Sequence, residues 1–273
     1  MSSLPQCEAL LLKKEAGRLY VTFNRPERRN AINNQMAQEI AELVSYLEQD
    51  STIRVVILRG AGGNFCAGGD IKERKTLSDN AAPGTDPAYD RNYRSGMMFV
   101  RMSRIPQTLV AVVEGAAMGG GFGYACLADI TIMHQEARLG MPETTLGIAP
   151  AQISPYVVKR IGKSEALHMA LTARRINGEE AHRLGISHYL CADDQTLEET
   201  IETVVSNVEK CGPIANAVTK EIISKVGTLA DEDMVKFAAQ KFAEMNGSEE
   251  GKEGHAAFVE KRQPVWPSLE KKV

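Results

Sequence analysis

The chain has 273 residues, 43% of them hydrophobic, enough to bury one large core or a core with a smaller appendage. Its 32 basic and 35 acidic residues leave a net charge of −3 without any block of five like charges, which excludes the electrostatic footprint of a nucleic-acid or membrane-surface binder. Five cysteines (Cys7, Cys66, Cys126, Cys191, Cys211), odd in number and with no CxxC among them, argue against a disulfide framework and a zinc site and read as reduced, mostly buried thiols.

The N-terminal MSSLPQCEALLLKKEAG has no basic segment ahead of a long apolar run, and no stretch approaches about 18 apolar residues, so a cytoplasmic location is expected. Leu19 to Phe23 alternate as a strand, and NRPERRNAINN supplies the proline and asparagines of a turn. Met36, Ile40, Leu43, Val44 and Leu47 fall at helical spacing, and RVVILRG is a short apolar run of the buried-strand type. The loop NAAPGTDPAYD at 80–90 is expected to be mobile and to cover something. TLVAVVEG at 108–115 and ITIMH at 130–134 predict two more strands, and the alternation of strands with helices gives an α/β class. After residue 197 the runs LEETIETVVSNVEKC, IANAVTKEIISKV and DMVKFAAQKFAEM are helical with no strands between them. That shift predicts a boundary near 197–212, dividing a catalytic core, 1–200, from a helical C-terminal part, 201–273. No tandem repeat or low-complexity segment is present.

Two segments share one design. GGNFCAGGDIKE (62–73) and MGGGFGYACLAD (118–129) each follow a predicted buried strand and lead into a helix start. Glycine inside a helix costs roughly 1 kcal/mol against alanine, so three in a row before a helix need another reason. One is that the first N–H groups of a helix lack intrahelical partners and suit an anion or developing oxyanion. The other is that the glycines serve tight turns and close packing only. Neither segment contains GxGxxG or GxxxxGK[ST], which disfavours a nucleotide-phosphate cradle.

Five stretches, in order along nearly the whole chain, make the sequence similar to the crotonase superfamily of enoyl-CoA hydratases and isomerases: NRPERRNAI (24–32), FCAGGDIKE (65–73), GGGFGYACLAD (119–129), GMPETTLGIAP (140–150) and SEEGKEGHAAFVEKRQPVW (248–266). The resemblance implies a spiral of ββα units with a helical C-terminal trimerisation region, and a homotrimer or dimer of trimers. It implies an acyl-CoA thioester as substrate, with coenzyme A part of that substrate and no separate cofactor. It assigns the oxyanion donors to the backbone N–H groups of Gly69 and Gly120, and places Ala67, Gly68, Asp70 and Gly123 against the substrate. Arg28 and Lys72 are expected near the pantetheine-phosphate arm, Ala67 near the adenine and Lys261 near the adenosine phosphate; solvated side chains are the competing reading of these basic residues.

Chemistry beside a thioester carbonyl needs a group that moves a proton while the enolate is stabilised. Glu143 in GMPETTLG is the candidate, with small and apolar neighbours that would desolvate its carboxylate; the alternative is a surface or capping glutamate. The family's hydratases carry a second glutamate where this chain has Gly123, so one carboxylate of the pair is missing. Family isomerases work with one glutamate at the place of Glu143, which keeps Δ3,Δ2-enoyl-CoA isomerase open. The run GGGFGYAC with PETTLGIAPAQISPYVVKRIG is similar to hydratases of branched, carboxylated enoyl-CoA esters, such as isohexenylglutaconyl-CoA in acyclic terpene breakdown, and favours hydration. A non-catalytic acyl-CoA or RNA binder is the third reading, with RNA disfavoured by the charge. Gln152 and Ser154 are candidates to hold water or to cap a helix, and Asp129 to support its loop. Met97, Met98, Met102 and Phe99 fit an acyl pocket or ordinary core. Ala151 stands where the family's dehalogenases have their aspartate. His134, His168, His182, His188 and His255 show no metal-ligand spacing, and no metal is expected.

Overall fold

The computed structural model describes residues 3–73 and 86–266. The antiparallel hairpin β1 (Leu10–Glu15) and β2 (Arg18–Phe23) opens a sheet continued in parallel by β3 (Val55–Gly60), β4 (Thr108–Val113), β6 (Ile130–His134) and β9 (Tyr189–Cys191). A smaller sheet holds β5 (Ala116–Met118), β7 (Arg138–Gly140) and β8 (Arg175–Asn177). The chain delivers strands to the two sheets in turn, β4 then β5 and β6 then β7, with a helix after each pair, which makes it a spiral of ββα turns. β4 is buried at all six positions, the pattern of a parallel strand covered on both faces.

The apolar stripe of α1 (Asn34–Leu47) buries Met36, Ile40, Leu43, Val44 and Leu47, and Asn33 caps it by accepting Met36 N–H at 2.9 Å. On one side of the large sheet these residues join Leu19, Phe23, Phe65 and Phe122 in the main core. After the short α5 (Gly178–Arg183), the other side is closed by α6 (Asp194–Lys210), whose Leu197, Ile201, Val204, Val205 and Val208 pack on Val55, Ile57, Val110, Val112 and Ile132. A boundary at residue 200 therefore falls inside a helix that belongs to the core; the change of character comes at the turn Cys211–Gly212. Beyond it, α7 (Pro213–Lys225) and α8 (Asp231–Gly247) bury no residue fully, and α9 (Glu249–Glu260) buries only Glu250 and Ala257. Glu250 accepts Ile214 N–H and Ala215 N–H at 3.1 and 2.7 Å and so closes the start of α7.

Of the loop expected over 80–90, residues 80–85 lie outside the described residues. The rest is helix: the Asp86 side chain accepts Tyr89 N–H at 3.0 Å and Pro87 opens α2 (Pro87–Met102). Asp-Pro marks a turn, but it is equally the N-cap and first position of a helix. Among the described residues no helix is long and apolar enough to cross a membrane.

Candidate active site

The first glycine segment leaves β3, turns through Ala61–Gly63 and runs beside β5, where Cys66 N–H donates to Ala116 O (2.8 Å) and Met118 N–H to Cys66 O (2.9 Å). It then meets the turn before α1. Ile32 N–H donates to Gly68 O (2.7 Å) and Asp70 N–H to Ile32 O (2.9 Å), a parallel bridge that leaves the N–H of Gly69 itself facing away from Ile32. Backbone pairing thus aims one donor.

The second segment aims another by a different route. Gly119 adopts φ +49°, ψ −119°, a conformation open to glycine, and donates its N–H to Gly140 O (3.0 Å). The α3 helix (Gly120–Leu127) begins at the next residue, so the Gly120 N–H is one of those without an intrahelical acceptor. A Cβ on Gly121 would stand 2.1 Å from Cys66 O. The three glycines therefore have three reasons: a backbone conformation at Gly119, access to the N–H at Gly120, and contact with the first segment at Gly121.

The two segments converge. A Cβ on Gly68 would lie 3.5 Å from Gly120 N, and one on Gly119 would lie 2.8 Å from Glu143 Oε1. Glu143 is half-buried on a 3-10 turn, Pro142–Leu146, tied to α4 (Ser154–Thr172) by Thr144 Oγ1 donating to Ala170 O at 2.8 Å. β7 enters this turn directly after supplying Gly140 O to Gly119. Gly69, Gly120 and Glu143 are thus brought to one place, where two backbone donors can polarise a carbonyl oxygen beside a carboxylate that can carry a proton.

Gly123 is not open to a ligand. It is buried, and a Cβ there would stand 2.4 Å from Ile153 Cγ2 and 3.0 Å from Phe99 Cζ. The expectation that Gly123 lies against the substrate is corrected: hydrocarbon covers it, from a residue 30 positions away that no local pattern connects to it. Phe99 packs on Tyr124 and Tyr156, with ring centroids 4.8 and 5.6 Å away, and Met102 is core, whereas Met97 is exposed. Gln152 donates to Asn92 Oδ1 (2.6 Å) and abuts Gly96 of α2, while Ser154 donates to Pro150 O (2.6 Å) at the start of α4. Both side chains are engaged in joining elements.

Arg28 and Lys72 share a cavity of about 240 Å³ with Arg25, Asn33, Asp70 and Glu73, next to the Gly69 loop. Ala67 does not line it; its N–H donates to Arg29 O at 2.9 Å. Lys261 is not brought there: it caps α9 in a left-handed conformation within the C-terminal layer. Asp129 accepts Leu109 N–H (2.7 Å) and Lys220 Nζ (2.6 Å), fastening α7 to the sheet. Among the described residues no group of three His, Cys, Asp or Glu is placed to hold a metal ion.

Sequence reasoning missed Arg25. Its guanidinium pairs with Asp70 (3.1 Å) and donates to Ala31 O, with both side chains of the pair under one-fifth exposed. Burial pushes the Asp70 carboxyl up, but the Arg25 hydrogen bond, the Glu73 N–H and the Arg25 charge outweigh it and hold the group below the usual carboxylate range. The clamp joins residues 45 positions apart, so spacing carries no signal of it; an arginine next to a turn proline is the only local hint.

A family model described as enoyl-CoA hydratase/isomerase matches residues 13–269. An enoyl-CoA hydratase/isomerase from Marinobacter aquaeolei superposes with a TM-score of 0.92 at 43% identity, covering 95% of this chain and 99% of that one. AtuE of Pseudomonas aeruginosa gives 0.91 at 44% identity, with the same coverage of 95% and 99%. The short-chain-enoyl-CoA hydratase of Clostridium acetobutylicum is 31% identical over 93% of this chain and 95% of its own length.

Proposed function

Because the chain belongs to the enoyl-CoA hydratase/isomerase family, matched over residues 13–269, we propose that it adds water across the α,β double bond of an enoyl-CoA thioester, with Glu143 as acid and base and the N–H groups of Gly69 and Gly120 as oxyanion donors. The observation that carries this reading is the close approach of Gly68, next to the donor Gly69, to Gly120 N, and of Gly119 to the Glu143 carboxylate. Water oxygen bonds to the β carbon as one water proton passes to Glu143. The π electrons move toward the thioester, and the enolate oxygen is held by the two N–H groups. Glu143 then returns the proton to the α carbon, restoring its own charge and the thioester. Arg28 and Lys72 hold the phosphates of coenzyme A in the cavity beside Asp70.

For the acyl group we favour a branched, carboxylated chain of the isohexenylglutaconyl type, supported by the run GGGFGYAC with PETTLGIAPAQISPYVVKRIG. The second reading is a Δ3,Δ2-isomerase, favoured by one specific observation: Ile153 fills the place beside Gly123 where a second carboxylate would stand. Mixing the protein with linear and with 3-branched, carboxylated enoyl-CoA esters, and following absorbance of the conjugated thioester, separates the two. Hydration bleaches it. If no enoyl-CoA is hydrated while a Δ3-enoyl-CoA gains absorbance, the isomerase reading replaces the first. Glu143→Gln should keep acyl-CoA binding and lose about 10²–10⁴-fold in turnover; a loss within about twofold removes the proposed role of Glu143.

We also propose that the chain works as a trimer or a dimer of trimers. Ile223, Phe242, Phe258 and Val259 are 66%, 72%, 85% and 78% exposed in the C-terminal layer, apolar surface of the kind that self-association covers. A neighbouring copy is then the route by which Lys261 would approach a coenzyme A phosphate. Light scattering that gives a monomer at micromolar concentration refutes the assembly.

A further inference from the structure

A larger cavity, about 750 Å³, lies apart from Glu143, Gly69 and Gly120, none of which lines it. Its walls bring together Arg29 from the turn before α1, Arg138 from β7 and Arg175 from β8, with Asn64, Asn177 and Met118 between them. Arg29 and Arg175 are exposed, and neither makes a hydrogen bond or ion pair through its guanidinium among the described residues. Arg138 donates to the carbonyls of Glu136 and Ala137 (3.1 and 3.3 Å), and lies 3.5 Å from the Glu136 carboxylate. Glu180 also lines the cavity, but its Oε1 is already engaged by Arg174 (2.6 Å) and Arg183 (3.0 Å).

Three arginines thus line one cavity whose own carboxylate is neutralised from elsewhere, in a chain with more acidic than basic residues. Arginine's planar fork matches phosphate oxygens two at a time, the volume falls in the range of small-molecule sites, and Met118 and Ile176 offer an apolar wall for an organic body. We propose that this cleft binds a phosphorylated organic anion of nucleotide size, at a site separate from the acyl-CoA cavity and independent of which reaction the enzyme performs. Arg29 lines this cavity while Arg25, Arg28 and Lys72 line the other, and the two share no lining residue, so their cationic walls are separate.

Calorimetric titration of the full-length protein with ADP, and separately with pyrophosphate, tests this. The parent should bind ADP, and Arg29→Gln with Arg175→Gln should weaken that binding at least tenfold while melting like the parent. Filling the acyl-CoA cavity beforehand with a stoichiometric amount of coenzyme A should leave it within about twofold. Binding of pyrophosphate as tight as ADP assigns the affinity to the phosphates; tighter ADP adds the organic body against Met118 and Ile176. The proposal is overturned if ADP does not bind at millimolar concentration or if the arginine variants bind it unchanged. It is equally overturned if stoichiometric coenzyme A abolishes ADP binding, which places the anion in the acyl-CoA cavity, or if the arginine variants change the oligomeric state by light scattering without a change in ADP binding, which makes the cleft a contact with another copy.

Discussion

The two glycine segments deliver the same thing, an N–H pointing at one spot, by opposite means. The Gly69 loop is held from outside: a backbone bridge to Ile32 and the Arg25–Asp70 pair fix it, and its conformation depends on side chains that could be exchanged. The Gly119–Gly121 segment is held by what is missing. Its backbone runs so close to Cys66 that no side chain fits at Gly121. One donor is therefore tunable through distant residues, whereas the other is fixed by excluded volume, which close-packed interiors enforce steeply.

The largest effect should come from Gly121→Ala. The obstacle is a backbone carbonyl, Cys66 O, at 2.1 Å, which cannot rotate aside, so a loss of about 3 kcal/mol or more is expected in chemical denaturation. A variant as stable as the parent would show that the two segments can separate. Gly123→Ala should cost less, about 1–3 kcal/mol, because its neighbour is the Ile153 side chain at 2.4 Å. Ile153→Ala in the same chain should recover part of it, and failure of that rescue would deny the side-chain origin of the strain.

Arg25→Met addresses the other loop. It leaves Asp70 without its cation in a site where the side chain is 15% exposed, a penalty of about 1–3 kcal/mol. Because the strain falls on the Gly69 segment, turnover should drop by more than the affinity for free coenzyme A, and Arg25→Lys should restore part of it. Equal losses in both would make the pair merely structural.

The smallest effect is one of pH. The Asp70 carboxyl lies below its usual 3.8 in the folded protein, so its contribution is present above about pH 4 and is lost as pH falls through the folded value. Amide exchange at residues 66–70 should quicken relative to residues 119–123 as pH drops from about 5 to about 3, after correction for intrinsic rates. Parallel changes in both segments would erase the contrast drawn between them.

Much of this was legible in the sequence. Periodicity placed α1, β3, β4 and β6, because burying one helical stripe or a whole strand leaves a repeating signature. The glycine-rich segments were visible as turns before helix starts, since short-range steric and hydrogen-bond demands leave marks on neighbouring residues, whereas the choice of Gly69, Gly120 and Glu143 among their residues came from the resemblance to the crotonase superfamily. The three-residue strands β5, β7 and β8 left no such mark: at that length a strand has no period to read, and its existence depends on the partner beside it. The same holds for Ile153 over Gly123, for Arg25 on Asp70, and for the meeting of Arg29, Arg138 and Arg175. Each joins residues tens of positions apart. Local conformation follows from local chemistry, but which side chain fills a given space is decided only when the spiral closes and brings distant turns within contact distance.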